Sequence, residues 1–350
     1  MMDLSYDEIT RYIVNFIQGQ VAAAGASGVV FGLSGGVDSA VIAHLCSRAL
    51  GSNSCLALIM PNSEFTPSSE TKDGILVATS LSIPYIIKPL QHMVRESVAH
   101  DQNPPKVASG NLNARLRAAL LYYEAQKHSY LVVGTDDRSE HMLGYFTKYG
   151  DGACDMLPIV SLYKTQVWDL ARYVGVPRHI IEKEPGPHLW ADHLASSELG
   201  LGYADIDRVL QRLYDEPTQV SADTNIPLDR IHDILRLHKD SAHKRTLPPM
   251  ATLTRDASNP TIYKKAWGSI EQLTRHTSSG VNILHLNPES IIEIQKSHSR
   301  LWRVINGSAV VVMDDRDVVL SEGSHLFIPH GISHKTFVGS KGAQILEVIT

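Results

Sequence analysis

Short, continuously apolar segments alternate with helix-like stretches over the first 135 residues, and this alternation restricts the fold more than any other feature. The segments 28–33, 55–60, 84–87 and 130–133 are rich in β-forming residues. Strands without polar alternation are buried on both faces, as in a parallel sheet covered by helices. We therefore expect an α/β domain with a doubly wound parallel sheet, whose ligands bind beyond the carboxyl ends of the strands.

The pattern changes near residue 247. Residues 247–262 hold Pro248, Pro249 and Pro260 and show no helical period, which predicts a linker. The apolar segments beyond it are short and are separated by Gly, Asp and Asn turns; they are 301–312, 318–320, 325–328 and 343–349. This pattern is typical of a small antiparallel β domain. We expect two domains, 1–250 and 261–350.

Bulk composition excludes several classes of function. The net charge of −5 in 350 residues gives no basic footprint for a nucleic acid. No run of 18 apolar residues predicts a membrane span, and the first residues lack the charged and apolar regions of a signal peptide. The three cysteines, Cys46, Cys55 and Cys154, follow no metal spacing. We expect a reduced, cytoplasmic chain.

A glycine-rich turn follows the first predicted strand and precedes a predicted helix. Adjacent glycines let backbone N–H groups approach a phosphate, and the helix adds the positive end of its dipole. Hydroxyls can donate hydrogen bonds to the phosphate, and a carboxylate can hold Mg²⁺ against it. A helix cap is the purely structural interpretation, but the full string favours ATP binding by Gly32, Leu33, Ser34, Gly35, Gly36, Val37, Asp38 and Ser39.

The string from Ser34 to Ser39 resembles the pyrophosphatase loop of the ATP pyrophosphatases. That resemblance implies an adenine nucleotide alpha hydrolase-like fold and cleavage of ATP to AMP and pyrophosphate. Members adenylate an oxygen, and a nitrogen or sulfur nucleophile then displaces AMP. The loop alone does not distinguish NAD, GMP, asparagine and argininosuccinate synthetases or tRNA-modifying enzymes.

Residues 110–205 distinguish among these enzyme families. The strings there are Gly110-Asn111-Leu112-Asn113-Ala114-Arg115-Leu116-Arg117, Gly134-Thr135-Asp136, and the run from Gly144 to Asp155. Together with 162–167, 198–203 and 243–245 they resemble ammonia-dependent NAD synthetases over about residues 5–250. The family resemblance implies a cytoplasmic homodimer that converts deamido-NAD to NAD through an acyl-adenylate. Because no glutaminase domain is visible, ammonia would arrive free or from a separate glutaminase.

The resemblance also implies roles for single residues. Asp38 and Glu140 would hold Mg²⁺, and Thr135 and Lys164 would contact ATP. The residues that would contact deamido-NAD are Arg115, Lys148, Asp155, His243 and Lys244. Asp38, Lys164 and Asp155 would be catalytic, with Asp155 accepting the surplus proton of ammonia. Taken alone, charged residues such as Arg115 and Lys148 would more often be solvated surface groups.

Two departures from the family pattern leave an alternative open. Gly186 replaces a hydroxyl residue that reaches ATP, and the acidic stretch before Glu198 is reduced to Ala195-Ser196-Ser197. An amidating ligase for a sugar acid would use the same adenylation chemistry. A degenerate nucleotide-sensing module is a second alternative, although the intact Asp38, Glu140 and Lys164 argue against it.

The C-terminal segment resembles the cupin domain of mannose-phosphate isomerase/guanylyltransferase proteins, in the strings 266–271, 302–309 and 328–334. A metal-binding cupin uses two His and a Glu from its first motif and a His from its second. Here Arg300 and Leu301 stand where Glu and His would be, which leaves His334 with at most His298. We expect a metal-free barrel used for ligand binding or assembly.

Overall fold

The computed structural model describes residues 5–186, 189–190, 195–249, 261–275, 280–294, 298–313 and 316–349. The chain divides into two compact units, Met1–Pro248 and Pro249–Thr350. Most of the predicted linker, residues 250–260, lies outside the described residues.

A four-stranded parallel sheet forms the centre of the first unit. Its strands are β1 (Gly28–Gly32), β2 (Cys55–Ile59), β3 (Tyr85–Ile87) and β4 (Tyr130–Val133), in the order β3-β2-β1-β4. All five residues of β2 and four of the five in β1 are buried, as their continuous apolar sequence requires. The predicted parallel sheet is confirmed.

Helices cover both faces of this sheet, which confirms the doubly wound arrangement. The helices of the unit are α1 (Tyr6–Ala24), α2 (Val37–Leu50), α3 (Ser68–Ser80), α4 (Gln91–Ser97), α5 (Lys106–His128), α6 (Arg138–Leu143), α7 (Lys164–Val174), α8 (Arg178–Ile181), α9 (Ala195–Leu199), α10 (Tyr203–Leu210), α11 (Pro217–Thr224) and α12 (Leu228–Asp240). Successive side chains of β1 point to opposite faces of the sheet. Phe31 packs in the core with α1, α2 and α7, whereas Val30 packs in the core with α4 and α5.

Helix α5 begins earlier than its sequence indicates. The helical pattern of residues 111–127 predicts a start near Asn111, but the helix begins at Lys106. Gly110 is buried inside the helix, and a β-carbon there would lie 3.0 Å from Cβ of Leu189. This glycine therefore allows Leu189 to lie close to the helix, and it does not mark the helix boundary.

The second unit is an antiparallel β structure. Its strands are β5 (Thr261–Lys265), β6 (Gly268–Arg275), β7 (Gly280–Leu286), β8 (Ile291–Ile294), β9 (Arg300–Met313), β10 (Arg316–Ser321), β11 (His325–Ile328) and β12 (His334–Ile349). The sheet order is β10-β9-β12-β7-β6-β5, with β11 paired to β9 and β8 to β12. Its core contains Trp302, Val311 and Ile345. The predicted C-terminal antiparallel β domain is confirmed.

The turn between β1 and α2 depends on Gly35. Its φ is +93°, and a β-carbon there would lie 2.2 Å from the carbonyl oxygen of Glu70 at the start of α3. Gly175, which caps α7, has the same φ of +93° but has open space around the position of a β-carbon. Substituting alanine at each of the two glycines therefore distinguishes the free-energy cost of the left-handed backbone conformation from the cost of a steric clash.

We predict that Gly35→Ala destabilises the protein more than Gly175→Ala. The Gly175 variant should lose about 1–2 kcal/mol, because an L-residue adopts the left-handed region at that cost. The Gly35 variant should lose more, because the turn must also move away from α3. Urea unfolding of both variants measures the difference, and equal losses would contradict the described packing of the turn.

Candidate active site

A cavity of about 300 Å³ lies at the carboxyl ends of the strands of the first unit. This volume falls at the lower end of the range for small-molecule sites, and parallel sheets bind ligands at this edge. Its walls come from the segments after β1, β2 and β4, from α5, and from residues 180–186. The turn residues Gly32, Leu33, Ser34, Gly36, Val37, Asp38 and Ser39 line it.

Hydroxyl groups hold the glycine-rich turn in shape. The backbone N–H of Ser34 donates to Oγ of Ser39 at 3.2 Å, and that of Gly36 donates to Oγ of Ser34 at 3.2 Å. Oγ of Ser39 donates to the carbonyl of Gly36 at 2.9 Å. The turn leads into α2, whose first residues Val37 and Asp38 line the cavity. An anion placed there would meet the positive end of the helix dipole.

Lys183 fixes the same turn from the opposite wall. Its Nζ donates to the carbonyl of Gly35 at 2.9 Å, to Oε1 of Glu70 at 2.8 Å and to Oδ2 of Asp73 at 2.8 Å. Burial tends to raise the pKa of Asp73, but the bonds from Lys183 and His179 outweigh it and lower that pKa. Sequence reasoning did not assign Lys183, because its partners lie more than a hundred residues away.

A fully buried ammonium, that of Lys164 in α7, connects three carboxylates. Its Nζ lies 2.8 Å from Oδ2 of Asp38, 2.9 Å from Oδ2 of Asp137 and 2.8 Å from Oε1 of Glu140. Burial alone would lower the pKa of Lys164, but the three carboxylates outweigh it and raise that pKa well above its usual range. The structure thus brings together Asp38, Glu140 and Lys164, which the sequence predicted as site residues.

Two carboxyl groups of this cluster, those of Asp137 and Glu140, have raised pKa values. Burial raises the pKa of Asp137 to about 6 and that of Glu140 to about 8, against the opposing effect of Lys164. Asp137 was missed by sequence reasoning, although Asp137-Arg138-Ser139-Glu140 has the spacing of a capping box. The backbone N–H of Glu140 donates to Oδ1 of Asp137 at 2.8 Å at the start of α6.

Asp136, Asp151 and Arg117 also line the cavity, and none of them was assigned a role from the sequence. Asp136 is only 4% exposed, and its Oδ2 is buried without a hydrogen-bond partner among the described residues. Burial, together with the charges of Asp151, Glu140 and Asp137, raises the pKa of Asp136 well above its usual range. The sequence signal that could have identified Asp136 was its position shortly after β4, next to Thr135, which also lines the cavity.

Four of the residues predicted to contact deamido-NAD lie together elsewhere on the unit. Nε of Arg115 donates to the carbonyl of Lys148 at 3.3 Å, and Nζ of Lys148 donates to the carbonyl of His243 at 2.7 Å. Nζ of Lys244 donates to the carbonyls of Gly144 and Phe146 at 2.7 and 2.8 Å. The four residues are not among the described residues that line the cavity.

Asp155 is placed apart from both groups of residues. Its Oδ2 accepts a hydrogen bond from the backbone N–H of Val132 at 2.7 Å, and its Oδ1 accepts one from the hydroxyl of Tyr122 at 3.2 Å. Both carboxylate oxygens are therefore used at β4 and α5. Asp155 does not belong to the described lining of the cavity, so the structure gives no support to its predicted role as a proton acceptor.

In the second unit, the polar residues named in the cupin resemblance differ in their burial and partners. His334 is 5% exposed and meets the Trp302 ring edge-on at 5.2 Å, and burial lowers its pKa. Arg300 pairs with Glu347 at 2.5 Å, and His298 and His330 are exposed. Within the described part of the chain, no three His, Cys, Asp or Glu side chains form a group that could hold a metal ion. The metal-free barrel stays a prediction.

Comparison with known proteins places the chain in a family. The fold and the glycine-rich turn define a nucleotide-binding α/β enzyme. The family model for NAD synthase matches residues 9–248, and the model for the mannose-6-phosphate isomerase C-terminal region matches residues 254–350. The chain belongs to the NAD synthase family. None of the helices that the structure describes is long and apolar enough to cross a membrane.

The similar proteins cover the first unit. The NH3-dependent NAD+ synthetase of Hyperthermus butylicus is 45% identical over 253 residues, which are 71% of this chain and 92% of the relative. That of Archaeoglobus fulgidus is 43% identical over 248 residues, 71% of this chain and 98% of the relative. The structure of NMN synthetase from Francisella tularensis is 34% identical with a TM-score of 0.65, over 72% of this chain and all of that one.

We predict that the contribution of Asp137 and Glu140 to stability falls as the pH rises from 5 to 8. The native carboxyls of Asp137 and Glu140 keep protons up to pH values of about 6 and about 8, whereas the unfolded chain releases them near its ordinary pKa values. The native state therefore binds more protons in this window, and the free energy of unfolding decreases with pH. Glu140→Gln should flatten this slope, and Asp205→Asn, at a partly exposed position of α10, should not. Thermal unfolding at pH 5 and 8 measures both, and an unchanged slope in Glu140→Gln would refute the assignment.

Proposed function

We propose that this chain activates the carboxylate of deamido-NAD with ATP as an acyl-adenylate and converts it to the amide of NAD with ammonia, releasing AMP and pyrophosphate. The observation that carries the proposal is the match to NH3-dependent NAD+ synthetases, at 43–45% identity over 92–98% of their length. The chain is an enzyme of this family, and ATP is its co-substrate. The first unit contains the whole matched region.

The glycine-rich turn is proposed to hold the phosphates of ATP. Gly32–Ser39 lies at the wall of the cavity, and Thr135 lies after β4 at the same edge of the sheet. Lys164 is entirely buried behind Asp38 and Glu140, so its contact with ATP stays a prediction. The geometry supports a role for its ammonium in orienting these two carboxylates.

Asp38 and Glu140 are proposed to hold Mg²⁺, and the donor atoms fit this ion. Oδ1 of Asp38 is buried without a hydrogen-bond partner among the described residues, while its Oδ2 pairs with Lys164. Mg²⁺ prefers oxygen ligands and is usually bound by one or two carboxylates together with substrate phosphates. When bound, the ion would supply positive charge beside the phosphates, where the attack of the carboxylate develops negative charge.

The proposal keeps the remaining expectations from the sequence. The chain would act as a homodimer with domains 1–250 and 261–350, and the two family models meet between residues 248 and 254. Arg115, Lys148, His243 and Lys244 would contact deamido-NAD as a group, because three of them are already linked through backbone carbonyls.

A second candidate is amidation of the corresponding mononucleotide. The similarity to NMN synthetase, at 34% identity over all of that chain, favours it. Both substrates present the same nicotinate carboxylate to the same adenylation chemistry and differ only in the adenylyl half. A sugar acid, which Gly186 and the β domain leave open, shares neither the nicotinate ring nor the adenylyl half.

We predict that kcat/KM for deamido-NAD exceeds that for nicotinate mononucleotide and for a panel of uronic acids. Pyrophosphate release with each carboxylate at saturating ATP and ammonium measures the order. Gly186→Ser should lower the KM for ATP several-fold without changing the order, because one neutral hydrogen bond contributes about 0.5–1.5 kcal/mol. A higher value for the mononucleotide would support the second candidate, and a higher value for a sugar acid would contradict both.

We predict that Asp38→Ala reduces pyrophosphate release by about a hundredfold to a thousandfold, because a preorganised charge beside the phosphates is lost. Asp205→Ala, on the exposed face of α10, is the matched control and should retain activity. Circular dichroism verifies that both variants fold. Near-normal turnover by Asp38→Ala would place ATP elsewhere.

A further inference from the structure

We propose that Asp136 is the catalytic base that accepts the proton lost by ammonia when it attacks the acyl-adenylate. The inference rests on the proposed adenylate-then-amide chemistry and deepens it. It assigns to Asp136 the role that the sequence suggested for Asp155, whose oxygens are bound to Val132 and Tyr122.

The hydrogen bonds of the other carboxylates favour Asp136. Six carboxylates occur among the described residues that line the cavity: Asp38, Glu70, Asp136, Glu140, Asp151 and Glu184. Asp38 and Glu140 each pair with Lys164 at 2.8 Å, and Glu70 pairs with Lys183 at 2.8 Å.

The next two carboxylates are also engaged. Oδ1 of Asp151 accepts a hydrogen bond from the backbone N–H of Thr147 at 2.8 Å, and Glu184 accepts one from the hydroxyl of Ser196. Oδ1 of Asp38 and Oδ2 of Asp136 are both buried without a hydrogen-bond partner among the described residues, but Asp38 pairs with Lys164 through its Oδ2, whereas Asp136 has no ion-pair partner there. A buried polar atom of this kind needs an explanation, and a ligand with N–H groups supplies one.

The surroundings of Asp136 suit a base. Asp151, Glu140 and Asp137 face it as carboxylates, Cys154 lies beside Gly134, and Lys164 is the cation that acts on it. Burial and the three negative neighbours make its carboxylate more basic than an exposed one.

The step balances with one proton. The nitrogen lone pair of ammonia forms the C–N bond at the acyl carbon, and the bond from this carbon to the phosphate oxygen breaks. AMP leaves with that electron pair. One N–H proton passes to the carboxylate of Asp136, and the product is the neutral amide. General base catalysis of this type contributes about 10²–10⁴ in rate.

Separate measurements of the two half-reactions distinguish a role of Asp136 as a base from a structural role. Exchange of labelled pyrophosphate into ATP with deamido-NAD, without ammonia, measures adenylation. NAD formation with ammonium measures the second step. Asp136→Asn should exchange pyrophosphate within about threefold of the wild type and form the amide at least about a hundredfold more slowly. The wild-type rate of amide formation, at constant free ammonia, should rise with pH, and the variant should lose this rise.

Each other outcome overturns the proposal. Equal losses in both half-reactions of Asp136→Asn would indicate a role in ATP binding or folding. A selective loss of the ammonia step in Asp155→Asn, with Asp136→Asn near normal, would restore the expectation from the sequence. If the wild type shows no exchange with deamido-NAD, the proposed substrate fails. The same comparison is then made with the carboxylate that gives the highest turnover.

Discussion

The buried ammonium of Lys164 joins parts of the chain that are distant in sequence, and the geometry of the cavity depends on it. Asp38 opens α2, Asp137 and Glu140 belong to the start of α6, and all three lie within 2.9 Å of this nitrogen. Removing one partner of a buried ion pair typically costs about 3–5 kcal/mol, because a charge is left uncompensated. Lys164 therefore fixes the glycine-rich turn relative to the segment that follows β4.

The ammonium of Lys164 does not balance the acidic groups around it. Asp136 lies next to the cluster without an ion-pair partner among the described residues, and the pKa values of Asp136, Asp137 and Glu140 are all raised, chiefly by burial. The phosphates of ATP would add further negative charge. A divalent cation that binds together with the nucleotide would resolve this imbalance. Without the cation, protons on these carboxyl groups reduce the negative charge, and stability therefore depends on pH.

Local sequence patterns predicted the sheet, its two helical layers and the antiparallel C-terminal domain. They could do so because burial of a strand on one face or on both faces determines the order of its apolar residues. Asp38 was predicted from the glycine-rich turn that follows the first strand, whereas Glu140 and Thr135 were predicted from the family resemblance. Lys183 and Asp136 could not be assigned in this way. The contacts of Lys183 with Gly35 and Asp73 join distant segments, and the isolation of Asp136 becomes visible only when its neighbours are known.

The sequence by itself determined the fold class of both units and located the glycine-rich turn between β1 and α2, since strand periodicity, glycine spacing and family motifs are local properties. The tertiary structure decided which acidic groups face the cavity and which are used elsewhere. Asp155 belongs to a strong motif, yet its oxygens are bound at β4 and α5, whereas Asp136 lines the cavity with a buried, unpaired oxygen. The reason is physical: the basicity and availability of a carboxylate depend on its burial and on the charges around it, and folding sets both.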